Sequence, residues 1–377
     1  MSIDRISEST RARITDESLA ALRERLGKEV RRPQPYIEEI TRDAIRHYAD
    51  GIGDRNPLWS DRDYARRTRF GDVVGVPTML YATDRIVSGY VGGLPGVHAM
   101  FGGTDWEWYE PLRPGDEICG RSVLHDLVEK EGRFAGRAIQ QIYRTEFIRG
   151  DGTTVARADS WCFRTERETA RSRGKYDGTE AARWTPDSLD ALLADYEAEE
   201  IRGAEPRAFE DVQPGDAVGQ VVKGPLTATG VIAYVQGWGS LYIRAHGLAN
   251  DLFARHPALA IPNEQGVPEP PERVHWDPDL ASRVGVPAPY DYGPERVSWL
   301  GNVATNWMGD DGFLRLLSVR VLRHNLMGDA TWCRGEVVDK GVEDGAPLVE
   351  LALWGENQRG ERTAEGTAVV EVPRRRQ

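Results

Sequence analysis

Nowhere does the chain approach the run of about 20 apolar residues that a bilayer-spanning helix needs, so no membrane span is expected. Its start, Met1-Ser2-Ile3-Asp4-Arg5, carries no apolar signal region, and a soluble cytoplasmic protein follows as the expectation. Cysteine is scarce. The three present, Cys119, Cys162 and Cys333, are too few and scattered for a disulfide framework or a zinc site, and their strand-like apolar surroundings predict buried thiols. Positive charge is outweighed: 48 Lys and Arg against 60 Asp and Glu give a formal −12, which argues against a nucleic-acid partner. That balance leaves room for a local basic groove, for example at Arg66-Arg67 or Arg315, although such runs usually read as solvated helix faces. Gly-rich phosphate loops, a Ser-His-Asp order and metal-ligand spacings are all missing.

What is present is a repeat. A chain of 377 residues is too long for one ordinary core and suggests two domains or a duplicated unit. In the first half, period-2 runs with β-branched residues lie around Cys119–Val128, Gly136–Ile148 and Thr153–Arg164, with turns at Glu131-Gly132 and Gly150-Asp151-Gly152. The second half repeats the order at Leu317–Arg323, Thr331–Lys340, Leu348–Asn357 and Thr363–Val372. Each meander is preceded by a helical candidate, Val76–Gly89 or Pro294–Met308. Between the halves, Glu166–Gly203 reads as an exposed linker with a helix over Pro186–Glu199 capped by Thr185. Thr15–Leu26 reads as an amphipathic helix, and Pro214-Gly215-Asp216 as the turn that opens the second copy.

The densest signal runs from Tyr48 to Met79. Gly53 and Asn56-Pro57 break the helical run before them, because Pro57 restricts Asn56 to extended geometry and glycine tolerates positive φ. Asp54 therefore sits in a loop, where a carboxylate serves either as a base or as an Asx-turn and helix cap. The stretch Gly53-Asp54-Arg55-Asn56-Pro57-Leu58-Trp59, then Tyr64-Ala65 and Gly75-Val76-Pro77-Thr78-Met79, resembles the signature of the MaoC-like (hydratase-2) hot-dog family. In that family Gly-Asp-x-Asn-Pro-x-His precedes an Asp-x-x-Tyr-Ala helix and a turn into the long central helix. Trp59 stands where the family has its catalytic histidine.

The second copy holds the complementary half. Arg273-Val274-His275-Trp276-Asp277-Pro278 resembles the end of the same motif, so His275 matches the catalytic histidine, while Pro270 occupies the aspartate position. Tyr290-Asp291-Tyr292-Gly293 takes the place of the His-Gly pair ahead of the central helix, and the Pro-rich segment before it, about residues 240–270, reads as an insertion. Imidazole suits proton transfer near neutral pH, yet a histidine beside Trp276 is equally readable as a structural residue, and Tyr290-Asp291-Tyr292 as an Asx turn.

The resemblance implies an α+β double hot-dog: two helix-wrapped antiparallel sheets forming a pseudo-dimer, with units at 1–165 and 206–377 and a linker at 166–205. It further implies a hydro-lyase acting on a 3-hydroxyacyl or trans-2-enoyl thioester of coenzyme A or a carrier protein, with no cofactor and no metal. The implied catalytic candidates are His275 with Asp54, Asp291 or Glu272, one half-motif facing the other across the pseudo-dimer. Asn56, Trp59, Tyr290, Tyr292 and Gly293 are the implied substrate-binding residues. A homodimer of double hot-dogs is expected. A hot-dog thioesterase and a non-catalytic acyl-thioester-binding partner subunit are the alternatives.

Overall fold

Alternating side chains and polar turns give the first half four antiparallel strands: β1 His98–Trp108, β2 Ile118–Gly132, β3 Gly136–Arg149 and β4 Thr154–Thr165. The second half supplies β5 Ala217–Lys223, a two-residue pair β6 Ile261–Pro262 and β7 Pro268–Glu269, and then β8 Phe313–Val321, β9 Thr331–Glu343, β10 Ala346–Asn357 and β11 Arg362–Glu371. These elements belong to a computed structural model that describes residues 13–95, 97–132, 136–166 and 182–375. Nine strands form one sheet in the order β2-β3-β4-β1-β8-β11-β10-β9-β5. Its named pairs are all antiparallel, and the halves join where β1 meets β8, with Trp106 opposite Leu317. Pairing the two inner edges leaves no exposed ladder at the junction.

A 16-residue helix, Gly293–Met308, lies against this sheet, and every residue from Pro294 to Met308 is buried. It touches β1 as well as β5, β8, β9, β10 and β11, so both halves share it. Two further helices, Arg42–Ile52 and Ala228–Trp238, cross each other at glycines. A Cβ on Gly51 would lie 3.0 Å from the Ala233 carbonyl oxygen, and one on Gly237 only 2.5 Å from that of His47. No other side chain permits so close a crossing.

Four sequence expectations need correction. The helix expected over Val76–Gly89 is a 3₁₀ helix, Pro77–Ala82, followed by turns. The cause is Asp84: its side chain accepts from the amides of Ile86 and Val87, capping there instead of letting the chain continue. The expected linker helix runs Pro186–Glu197 with Thr185 and Ser188 closing a capping box, but Leu192 is buried against Val222 and Ala330 rather than left in solvent. Residues 167–181 of that linker lie outside the described residues. Finally, β2 continues through Gly132, where a turn was expected. The thiol expectation holds for Cys162 and Cys333, whereas Cys119 is exposed.

Candidate active site

His275 ends a 3₁₀ helix, Pro271–His275. Its Nδ1 lies 2.7 Å from the Tyr290 carbonyl oxygen, and because a carbonyl only accepts, Nδ1 carries the proton and Nε2 presents a lone pair. The imidazole stacks on Tyr292 with ring centroids 3.7 Å apart. Burial pushes its pKa down to about 4, so the ring is neutral at physiological pH. Tyr292 continues an aromatic chain through Trp238, at 4.8 Å, to Tyr234. Gly293, the first residue of the long helix, is partly exposed, and a Cβ there would meet Phe101 of β1 at 2.2 Å. The first half thus helps wall the His275 site.

Glu272 stands beside this cluster. It receives the Tyr292 hydroxyl at 3.3 Å and the backbone amides of Leu241, at 3.0 Å, and Tyr242. Burial, the largest influence, raises its carboxyl above the ordinary range while those amides pull it down. Its visible work is to hold the start of the 240–270 insertion against the site. Asp291 is turned away: it pairs with Arg296, whose Nε donates at 2.8 Å, and accepts from Asn325.

Asp54 occupies a different place. Helix Arg42–Ile52 ends at Gly53 with φ 64°, and the Asp54 Oδ1 then accepts from the Asn56 amide at 3.0 Å, an Asx turn. Asn56 in turn caps the 3₁₀ helix Pro57–Trp59 by accepting from Leu58. Behind them lies Lys223, at the end of β5. Its ammonium donates to the Ile52 carbonyl at 2.9 Å, the Gly53 carbonyl at 2.8 Å and Asn302 Oδ1 at 2.8 Å. Burial raises the Asp54 carboxyl and lowers the Lys223 ammonium, while their mutual attraction opposes both shifts. Trp59 and Asn302 also face the carboxylate.

The two half-motifs are therefore not assembled into one dyad. His275 abuts Tyr292 and Gly293, at the start of the long helix, whereas Asp54 faces Asn302, nine residues further on; at 1.5 Å per residue the two levels are roughly 14 Å apart along the axis. The structure brings His275, Glu272, Tyr290, Tyr292 and Gly293 together, and groups Asp54, Asn56 and Trp59 elsewhere. Sequence reasoning missed Lys223 and Asn302. A lysine closing the apolar run Val221-Val222 and an asparagine inside a fully buried helix were the available signals.

Residues 27–158 match the family model described as "FAS1-like, dehydratase domain region". A UPF0336 protein of Thermobifida fusca is 30% identical over 119 residues, covering 30% of this chain and 77% of that relative. A solved structure named "MaoC-like dehydratase" superposes with a TM-score of 0.64 at 17% identity, covering 94% of this chain and all of the other. The chain belongs to the family of these UPF0336 proteins, and its fold is that of the MaoC-like dehydratases. Its double hot-dog form is matched by a conserved hypothetical protein of Mycobacterium tuberculosis described as having a double hotdog fold, at a TM-score of 0.56, 10% identity and coverage of 92% and 96%. Among the described residues no helix is long and apolar enough to cross a membrane, and no metal-binding group of His, Cys, Asp or Glu occurs.

Proposed function

We propose that the chain is a hydro-lyase for 3-hydroxyacyl or trans-2-enoyl thioesters of coenzyme A or a carrier protein, working at the His275 site. One observation carries the reading: His275 is held through Nδ1, which leaves the lone pair on Nε2, beside Tyr292 and the partly exposed start of the long helix. In hydration, Nε2 takes a proton from water as its oxygen bonds to the β-carbon. The charge that develops on the thioester oxygen is met by the Gly293 amide and the positive end of the helix dipole. The imidazolium then returns a proton to the α-carbon, and dehydration runs the same steps backwards. His275→Gln should lower turnover by roughly 10²–10⁴-fold, the range for a positioned acid/base, without loss of thioester binding. Unchanged turnover in that variant, on a substrate the parent converts, removes His275 from the chemistry.

A second reading has its own support. None of the three expected acids bonds His275: Asp54 lies in its turn, Glu272 accepts two amides and Asp291 pairs with Arg296. A non-catalytic acyl-thioester-binding subunit fits that pattern, and tight thioester binding with no gain or loss of water by any member of a substrate panel would select it. For the assembly we propose units at 1–165 and 206–377 joined by 166–205, and a homodimer of double hot-dogs. A monomer throughout the micromolar range by sedimentation velocity would remove the dimer.

A further inference from the structure

The first half keeps a recess of its own where the motif's histidine is replaced by Trp59. It is a slot of about 40 Å³ between the Asn56–Trp59 turn and the end of the long helix, walled mainly by Trp59, Val74, Trp108, Leu112, Met308 and Phe313. Asp310 lines it and is 4% exposed. The Tyr64 hydroxyl donates to Asp310 Oδ2 at 2.5 Å and the Asn56 side chain faces the carboxylate, but among the described residues Oδ1 has no hydrogen-bond partner. Leaving a buried acceptor unsatisfied costs about 1–3 kcal/mol, which a donor brought by a ligand would recover. A carboxylate at an apolar wall, with Glu110 also lining the slot, disfavours any anionic group there.

We infer that this slot is a separate binding site for a slender apolar molecule ending in a hydroxyl or amine, which donates to Asp310 Oδ1. The walls come from residues 56–112 and 305–314, so both halves build it. A volume of 40 Å³ holds little more than water, and a longer occupant displaces Phe70 and Phe313, the partly exposed phenylalanines that line it. Because the site needs neither His275 nor a thioester, it stands or falls independently of the hydro-lyase reading. Burial also lifts the Asp310 carboxyl above its ordinary range, which suits a neutral alcohol as well as an amine.

Isothermal titration and thermal shift of the full chain with hexan-1-ol, hexylamine and hexanoate test the assignment. The alcohol or the amine should bind and raise the melting temperature, with hexanoate at least about tenfold weaker. Asp310→Asn keeps the volume but weakens the best ligand about tenfold, the loss expected of one hydrogen bond to a carboxylate. Val74→Phe fills the slot and abolishes binding; if circular dichroism shows that variant misfolded, Val74→Ile gives the same result in smaller degree. No binding by any probe, equal binding of all three, or binding that Asp310→Asn and the filled variant leave unchanged overturns the proposal.

Discussion

A neutral imidazole, a committed carboxylate and a buried ammonium decide what each half-motif can do. His275 carries a pKa near 4 against an ordinary 6.5, so between those values the unfolded chain binds a proton that the folded one refuses. Stability is therefore fully present above about pH 6.5 and is lost as pH falls toward 4, by roughly 3 kcal/mol at most. Urea unfolding from pH 4 to 7 should show that slope in the wild type and much less of it in His275→Gln. Asp54 behaves differently. Lys223→Met leaves the Asp54 carboxylate buried without its counter-charge and should cost about 3–5 kcal/mol, part of which Asp54→Asn in the same chain restores. Asp54→Asn alone should leave turnover unchanged, since the geometry keeps it away from His275; a large loss at unchanged melting temperature would put Asp54 back into the chemistry.

The elements show how far the sequence could be read and where it stopped. Strands β2–β4 and β9–β11 were legible because alternation, β-branched residues and Gly or Asp turns all pointed the same way. The long helix, expected over Pro294–Met308 and observed over Gly293–Met308, was legible from its length. Its counterpart over Val76–Gly89 was not, because the same composition is overruled by one side chain, Asp84, bonding to its own backbone. The partners of Asp54 were hidden for another reason: Lys223 and Asn302 lie 169 and 248 positions away and meet it only through the tertiary fold. The glycine crossing offers a test at this scale. Gly237→Ala should raise helix propensity yet lower stability by about 1–3 kcal/mol, because the new Cβ meets a backbone carbonyl. A higher melting temperature for that variant would show that the helices separate freely.

At the scale of the whole molecule, one sheet and one long helix couple the halves. The β1–β8 ladder and the contact of Gly293 with Phe101 mean that the His275 site is incomplete in the second half alone. The pseudo-dimer places the two degenerate motifs at different levels of the long helix. The first keeps an acid in a structural turn near Trp59; the second keeps a histidine whose Nδ1 donates to the Tyr290 carbonyl. On the proposed function, this histidine moves protons to and from an acyl thioester. Incubation of the full chain with a panel of trans-2-enoyl thioesters in heavy-oxygen water, read by mass spectrometry beside His275→Gln, tests it directly. At least one thioester should gain a labelled hydroxyl with its thioester intact, at a rate the variant lowers by roughly 10²–10⁴-fold. Release of free thiol without hydration, or no labelled product from any thioester that demonstrably binds, would contradict it.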